Sequence, residues 1–96
     1  MTRRRLPNRR ASMTVEFWLD GQTYRATASR FPDGRLAELF LDVGKAGSAV
    51  QAQAETAAML VSMLLQNNIH CDDIRSLIKT GPIAYALAEF AGMRPE

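Results

Sequence analysis

Apolar and polar side chains alternate from Met13 to Leu19. Val15, Phe17 and Leu19 fall on one side and Thr14, Glu16 and Trp18 on the other, the two-residue period of a half-buried strand. Asp20-Gly21 follows, a pair favoured in tight hairpins because both central positions take positive φ. A second strand is predicted from Gln22 to about Arg30, with Tyr24, Ala26 and Ala28 inward and Thr23, Arg25, Thr27 and Ser29 outward. Phe31-Pro32-Asp33-Gly34 has the composition of a turn, with Pro setting φ and Gly accepting the left-handed position. A third strand then runs from Arg35 to Asp42, with Ala37, Leu39 and Leu41 on one face and Leu36, Glu38, Phe40 and Asp42 on the other. Trp18 and Phe40 therefore share the second face of the sheet. Two large aromatics there imply cover by the N-terminal arm or by a partner chain.

The period changes after the flexible stretch Val43–Gly47. Ser48 and Gln51 have the spacing of a capping box, so a helix is predicted from Ser48 to about Gln66. Its core stripe is read as Val50, Ala54, Ala57, Val61, Leu64 and Leu65. Met59, Leu60 and Met63 widen that stripe beyond one sheet contact, which makes the helix either central or part of a dimer interface. Asn67-Asn68 ends it, since Asn tolerates a left-handed C-cap. Asp72 and Asp73 suit the N-terminus of a short helix whose apolar side is Ile74, Leu77 and Ile78. Thr80-Gly81-Pro82 breaks the chain. Pro82 opens a third helix, Ile83 to Ala91, with Ile83, Leu87 and Phe90 inward and Gly92 as its stop. The predicted fold is α+β: a three-stranded antiparallel β-meander followed by one long and two short helices packed on one face.

Length and composition narrow the class. Ninety-six residues, 47% of them hydrophobic, make one domain with one core. No apolar run approaches the roughly eighteen residues of a membrane span, and no apolar stretch follows the basic N-terminus as a secretory signal would require. A single cysteine excludes an internal disulfide and a four-thiolate metal site, and suits a reducing, cytoplasmic compartment. Charge divides the chain unevenly. Arg3, Arg4, Arg5, Arg9 and Arg10 crowd the first ten residues, which hold no acid, whereas residues 11–96 carry seven basic and ten acidic side chains. The organisation read from this is a basic arm over 1–12, one domain over 13–92 and a tail over 93–96. Clustered arginines suit phosphate contacts, of nucleic acid or nucleotides, and equally suit a solvated arm or a strap on the domain's own acidic surface.

Candidate chemistry is sparse. His70, Cys71, Asp72 and Asp73 are consecutive, but the chain has one His and one Cys, too few for a zinc site, and no metal is expected. Cys71 at a helix start is a candidate for a lowered thiol pKa. The most site-like stretch is Gly44-Lys45-Ala46-Gly47-Ser48, where Gly47 and Ser48 offer backbone N–H groups at a helix start and Lys45 a counter-charge. Arg30 and Arg35 join that anion or nucleotide site only if the preceding turn folds back toward the helix.

Several motifs occur in a fixed order. They are Arg3-Arg4-Arg5-Leu6-Pro7-Asn8-Arg9-Arg10, the hairpin through Gly21 and Tyr24, Arg30-Phe31-Pro32-Asp33-Gly34-Arg35, Glu38-Leu39-Phe40-Leu41 and Lys45-Ala46-Gly47-Ser48. Leu64-Leu65-Gln66, Gly81-Pro82-Ile83 and Leu87 extend the series. Jointly they resemble the TSCPD domain, found at the C-terminus of adenosylcobalamin-dependent (class II) ribonucleotide reductases and as small separate proteins. The family's eponymous Thr-Ser-Cys-Pro-Asp falls at Lys79-Thr80-Gly81-Pro82-Ile83, where only the proline is kept in register. Any thiol role at that position is absent here.

The resemblance implies an accessory domain of deoxynucleotide synthesis. The radical reaction itself needs a large barrel, several cysteines and a cobalamin site, for which this chain has no room. The expectation is therefore a non-catalytic module, needing no cofactor, that binds a reductase subunit, a nucleotide or another copy of itself. Self-association would use Trp18, Phe40, Met59, Leu60 and Met63. Two other classes stand beside this one: a nucleic-acid-binding protein using the arginine arm, and an enzyme acting at the Lys45–Ser48 turn.

Overall fold

The computed structural model describes residues 12–44 and 48–92. Three strands, β1 (Ser12–Leu19), β2 (Gln22–Arg30) and β3 (Leu36–Val43), form an antiparallel sheet in sequence order. Three helices follow: α1 (Ala49–Gln66), α2 (Cys71–Leu77) and α3 (Gly81–Ala91). The α+β meander predicted from the alternation is the fold observed.

Local chemistry accounts for each reversal. Asp20 and Gly21 take φ of 50° and 78°, the doubly positive turn that matches strand twist, and Leu19 pairs with Gln22 across it. At the second turn the Gly34 N–H donates to the Phe31 carbonyl at 2.9 Å and the Phe31 N–H to the Arg35 carbonyl at 2.8 Å. A register shift at Ser29 and Arg30 accompanies this turn. Asn68 ends α1 with φ of 68°, as its tolerance of the left-handed region predicted.

The core lies on one side of the sheet. Phe17, Tyr24, Ala26, Ala28, Leu39, Leu41 and Val43 meet Ala54, Ala58, Val61 and Leu65 of α1, Ile74 of α2, and Ile83, Ala86, Leu87 and Phe90 of α3. Phe17 is the aromatic centre, stacked on Tyr24 at 5.3 Å and on Tyr85 at 4.4 Å between ring centroids. Leu77 and Ile78, read as part of the apolar side of α2, are exposed. In that seven-residue helix only Cys71 and Ile74 turn inward.

The long helix departs most from its predicted stripe. Val50 and Leu64, assigned to the core, are exposed, and Ala57 is half-buried. Gln51, Ser62 and Gln66 are buried in their place, Gln66 to 1% exposure. The cause is the unpaired edge of β3. The Leu39 N–H donates to Ser62 Oγ at 2.9 Å, and that hydroxyl donates to the Leu39 carbonyl at 2.9 Å. Gln66 Nε2 donates to the Ala37 carbonyl at 3.1 Å, and the Val43 N–H donates to Gln51 Oε1 at 2.6 Å. Helix and strand run antiparallel, with Gln51 beside the end of β3 and Gln66 beside its start. The side chains of α1 thus stand in for a fourth strand and close the edge. The capping box is only half formed: Ser48 Oγ accepts from the Gln51 N–H at 3.0 Å, while the Gln51 side chain serves Val43 and Glu55 instead of reaching back.

This arrangement predicts opposite outcomes for two neighbouring substitutions. Ser62→Ala strands the buried Leu39 N–H and carbonyl and is expected to cost about 1–3 kcal/mol of unfolding free energy. Leu60→Ser, two residues away on the outer side, is expected to stay within about 0.5 kcal/mol of the parent. Urea denaturation of both variants checks the contrast.

Candidate functional site

Ser48 caps α1 with an extended backbone, φ −80° and ψ 160°, and its hydroxyl is engaged by the Gln51 N–H. Lys45 and Gly47 lie outside the described residues, as do Arg3, Arg4, Arg5, Arg9 and Arg10. The structure does not bring Arg30 and Arg35 to Ser48. They flank the turn that enters β3, whereas Ser48 follows its exit. Eight residues of strand, about 23 Å, separate the two ends.

Both arginines have local partners. Arg30 donates from Nη1 to the Gly34 carbonyl at 2.8 Å and from Nη2 to the Phe90 carbonyl at 2.7 Å, which ties the β2–β3 turn to the last turn of α3. A guanidinium there also meets the negative end of the helix dipole. Arg35 donates from Nε to Asp33 Oδ2 at 3.0 Å and lies 5.6 Å from the centre of the Phe31 ring. Their geometry is that of a brace on the turn.

Cys71 also reverses its expectation. It is buried, and burial foremost, together with the neighbouring Asp72 carboxylate, pushes its thiol pKa up; Arg75 and Arg30 pull it down by less. The helix start was expected to lower it, but desolvation of the thiolate outweighs the field of a seven-residue helix. His70 is the N-cap of α2, accepting the Asp72 N–H on Nδ1 at 3.1 Å. Among the described residues no three His, Cys, Asp or Glu side chains converge as metal ligands. No helix among them is long and apolar enough to cross a membrane. Among the described residues, a depression on α3 is lined by Tyr85, Ala88, Glu89 and Gly92.

The surface features that stand out are apolar. Met59, at 63% exposure, Leu60, at 56%, Met63 and Leu64 form an uncovered band along α1. Trp18 and Phe40 are exposed on the sheet face opposite the helices, as the strand alternation placed them. The two groups belong to different elements, and Leu64 joins the first because α1 is rotated relative to its predicted stripe. The spacing of Gln51, Ser62 and Gln66 carried the missing signal: in an otherwise apolar segment, three polar residues that share one helical row mark a row with partners.

The raised thiol pKa sets two expectations for Cys71. In the folded protein it should react with iodoacetamide far more slowly than in urea. The unfolded thiol ionises near 9.0 and the folded one higher, so stability is kept below that pH and lost as pH rises above it. Cys71→Ala should shrink this alkaline loss, measured by thermal melts across the pH range 7–10.5 or so.

Comparison with known proteins agrees with the ordered motifs. The model of the TSCPD domain family matches residues 2–92. A vitamin B12-dependent ribonucleotide reductase of Agrobacterium fabrum is 32% identical over 71 residues, covering 74% of this chain and 6% of that protein. Enzymes of the same name from Streptantibioticus cattleyicolor and Streptomyces coelicolor are each 30% identical over 94 residues. Those matches cover 98% of this chain, but only 14% and 8% of the respective relatives. The chain therefore spans a small fraction of the reductases it resembles. No solved structure gives a significant match. With a family match along nearly its whole length, and with the hairpin, turn and long-helix motifs folded in sequence order, the chain belongs to the TSCPD domain family.

Proposed function

We propose that this protein is a non-catalytic docking module of deoxyribonucleotide synthesis, which attaches to the catalytic polypeptide of a vitamin B12-dependent ribonucleotide reductase through the outer face of α1. One observation carries the reading. Beside its apolar core row the helix buries Gln51, Ser62 and Gln66 against β3, and on its outer face it exposes Met59, Leu60, Met63 and Leu64, where an ordinary surface helix is polar. Apolar side chains left outside on a helix whose inner face is already committed suit a protein partner, and adaptable Met residues are common on such surfaces. The partner is named from the relatives, which carry a segment like this one in the same chain as a far larger remainder. The lone cysteine supports a non-catalytic role, because its thiol is buried and its pKa raised.

The same band supports association of two copies when no reductase is present. Isologous pairing places α1 of one copy against α1 of the other.

The test mixes the full chain with a vitamin B12-dependent reductase shortened by the segment that matches it. Co-elution in gel filtration is expected, and Leu60→Glu with Met63→Glu should abolish it while leaving the thermal midpoint nearly unchanged. Independent elution of the parent proteins at tens of micromolar would refute the proposal. In sedimentation equilibrium the parent alone should self-associate with increasing concentration, and the double variant should remain monomeric.

A further inference from the structure

Side chains of α1 close the sheet along β3; its other edge runs along β1. In the strand order β1-β2-β3, β1 pairs with β2 on one side and with no described strand on the other. The hairpin decides which backbone groups lie there. Asp20-Gly21 is a two-residue turn, so Leu19 and Gln22 form its hydrogen-bonded closing pair, and bonded and non-bonded pairs alternate along the ladder from that point. Met13, Val15, Phe17 and Leu19 therefore direct their N–H and C=O groups to β2. Ser12, Thr14, Glu16 and Trp18 direct theirs to the free edge. The side chains agree: Thr14 Oγ1 lies 3.1 Å from Thr27 Oγ1 and Arg25 Nη2 lies 3.0 Å from Glu16 Oε1, both across non-bonded pairs, where opposed side chains stand closer.

This edge carries none of the features that usually blunt one. β1 runs eight residues without proline or lysine, its Glu16 points away from the core, and its register with β2 is unbroken. The core beside it is unfinished. Met13, Val15 and Leu19 face the helices yet remain half-buried, whereas Ala26, Ala28, Leu39 and Leu41 on the other two strands are buried. Tyr24 of β2 and Tyr85 of α3 both stack nearly parallel to the Phe17 ring, at 15° and 23°. Tyr24 takes the ring face toward β2, so Tyr85, itself 41% exposed, takes the face toward the free edge. An alternating row of donors and acceptors at strand spacing is matched by an extended backbone, whose apolar side chains at every second position would complete the core.

Charge selects among extended chains. On the outer sheet face Glu16, Arg25 and Asp42 form one row, two acids against one base. A second copy would set a like-charged face beside this one. A basic residue opposite Glu16 instead complements the row and lies diagonal to the Trp18 ring.

We propose that the free edge of β1 binds an extended segment of a partner polypeptide as an antiparallel fourth strand, apolar at the alternate positions facing the helices and basic opposite Glu16. The surface is separate from the outer band of α1, so it stands or falls independently of reductase docking there.

The test begins with hydrogen exchange on the intact chain. The amides of Thr14, Glu16 and Trp18 should exchange at least about tenfold faster than those of Val15 and Phe17, and equal protection would mean that the edge is already paired and would overturn the proposal. The probe is then a blocked synthetic peptide, Thr-Val-Thr-Val-Lys-Val-Thr, added to the 15N-labelled protein at up to about 1 mM. Saturable amide shifts centred on β1 are expected, with exchange of Thr14, Glu16 and Trp18 slowed about tenfold or more. The same peptide N-methylated at its Thr and Lys residues lacks the donors that face β1 and should not bind. Replacing its Lys by Glu should weaken binding several-fold. The variant Leu60→Glu with Met63→Glu should bind the parent peptide unchanged. Silence of the β1 amides, equal binding of the N-methylated or Glu-containing peptide, or shifts centred on α1 would each refute the proposal.

Discussion

The edge of β3 is the constraint on which the rest of the structure depends. A three-stranded sheet with one face packed has two edges, and an unpaired edge leaves backbone donors and acceptors without partners. This chain closes one of them with side chains. Ser62 both accepts from and donates to Leu39, Gln66 reaches the Ala37 carbonyl, and Gln51 receives the Val43 N–H. Each bond is buried, so each would cost about 1–3 kcal/mol if left unmade. Together they fix the axial rotation of α1. Once Gln51, Ser62 and Gln66 face the strand, Ala54, Ala58, Val61 and Leu65 necessarily face the core and Met59, Leu60 and Met63 face outward. The surface proposed for docking is thus a geometric consequence of edge closure.

A second tie acts at the turn that enters β3. Arg30 joins the β2–β3 turn to the Phe90 carbonyl, and Phe90 is fully buried, so the last turn of α3 and the irregular register at Ser29 and Arg30 share one guanidinium. An arginine that reads in sequence as a charge available to ligands is here a structural clasp. Its planar fork reaches two carbonyls on different elements, which a lysine ammonium does less well. The anion site imagined at the start of α1 therefore loses both arginines from the preceding turn.

Gly81 shows how the family pattern and local conformation meet. The resemblance read from the sequence sets it against the cysteine of the family motif, and it has φ of 91°, a region that a side-chain-bearing residue adopts only with strain. Thr80 caps α3 by position without a side-chain bond, and Pro82 supplies the preset φ of a first turn. In this chain the position is the first residue of α3, and its positive φ suits glycine.

Local interactions made most of the fold legible in the sequence. Strand alternation placed Phe17, Tyr24, Leu39 and Leu41 inside and Trp18 and Phe40 on the far face, because a period of two assigns sides without reference to any partner. Asp20-Gly21, Asn68 and Ser48 marked turns and caps for equally local reasons, their φ preference or hydroxyl reach. Three matters were decided only by tertiary structure. Val50 and Leu64 read as core because hydrophobicity alone orients an isolated helix, yet the hydrogen-bonding demand of β3, remote in sequence, outweighed it. Leu77 read as buried because its spacing from Ile74 fits a helical side, but a seven-residue helix presents only one turn to its neighbours. Cys71 read as activated by a helix terminus, whereas burial foremost, with the neighbouring Asp72 carboxylate, pushes its thiol pKa up. In each case spacing along the chain specifies which side chains lie together, while the unmet backbone groups and solvent exclusion that choose among orientations arise only when distant segments meet.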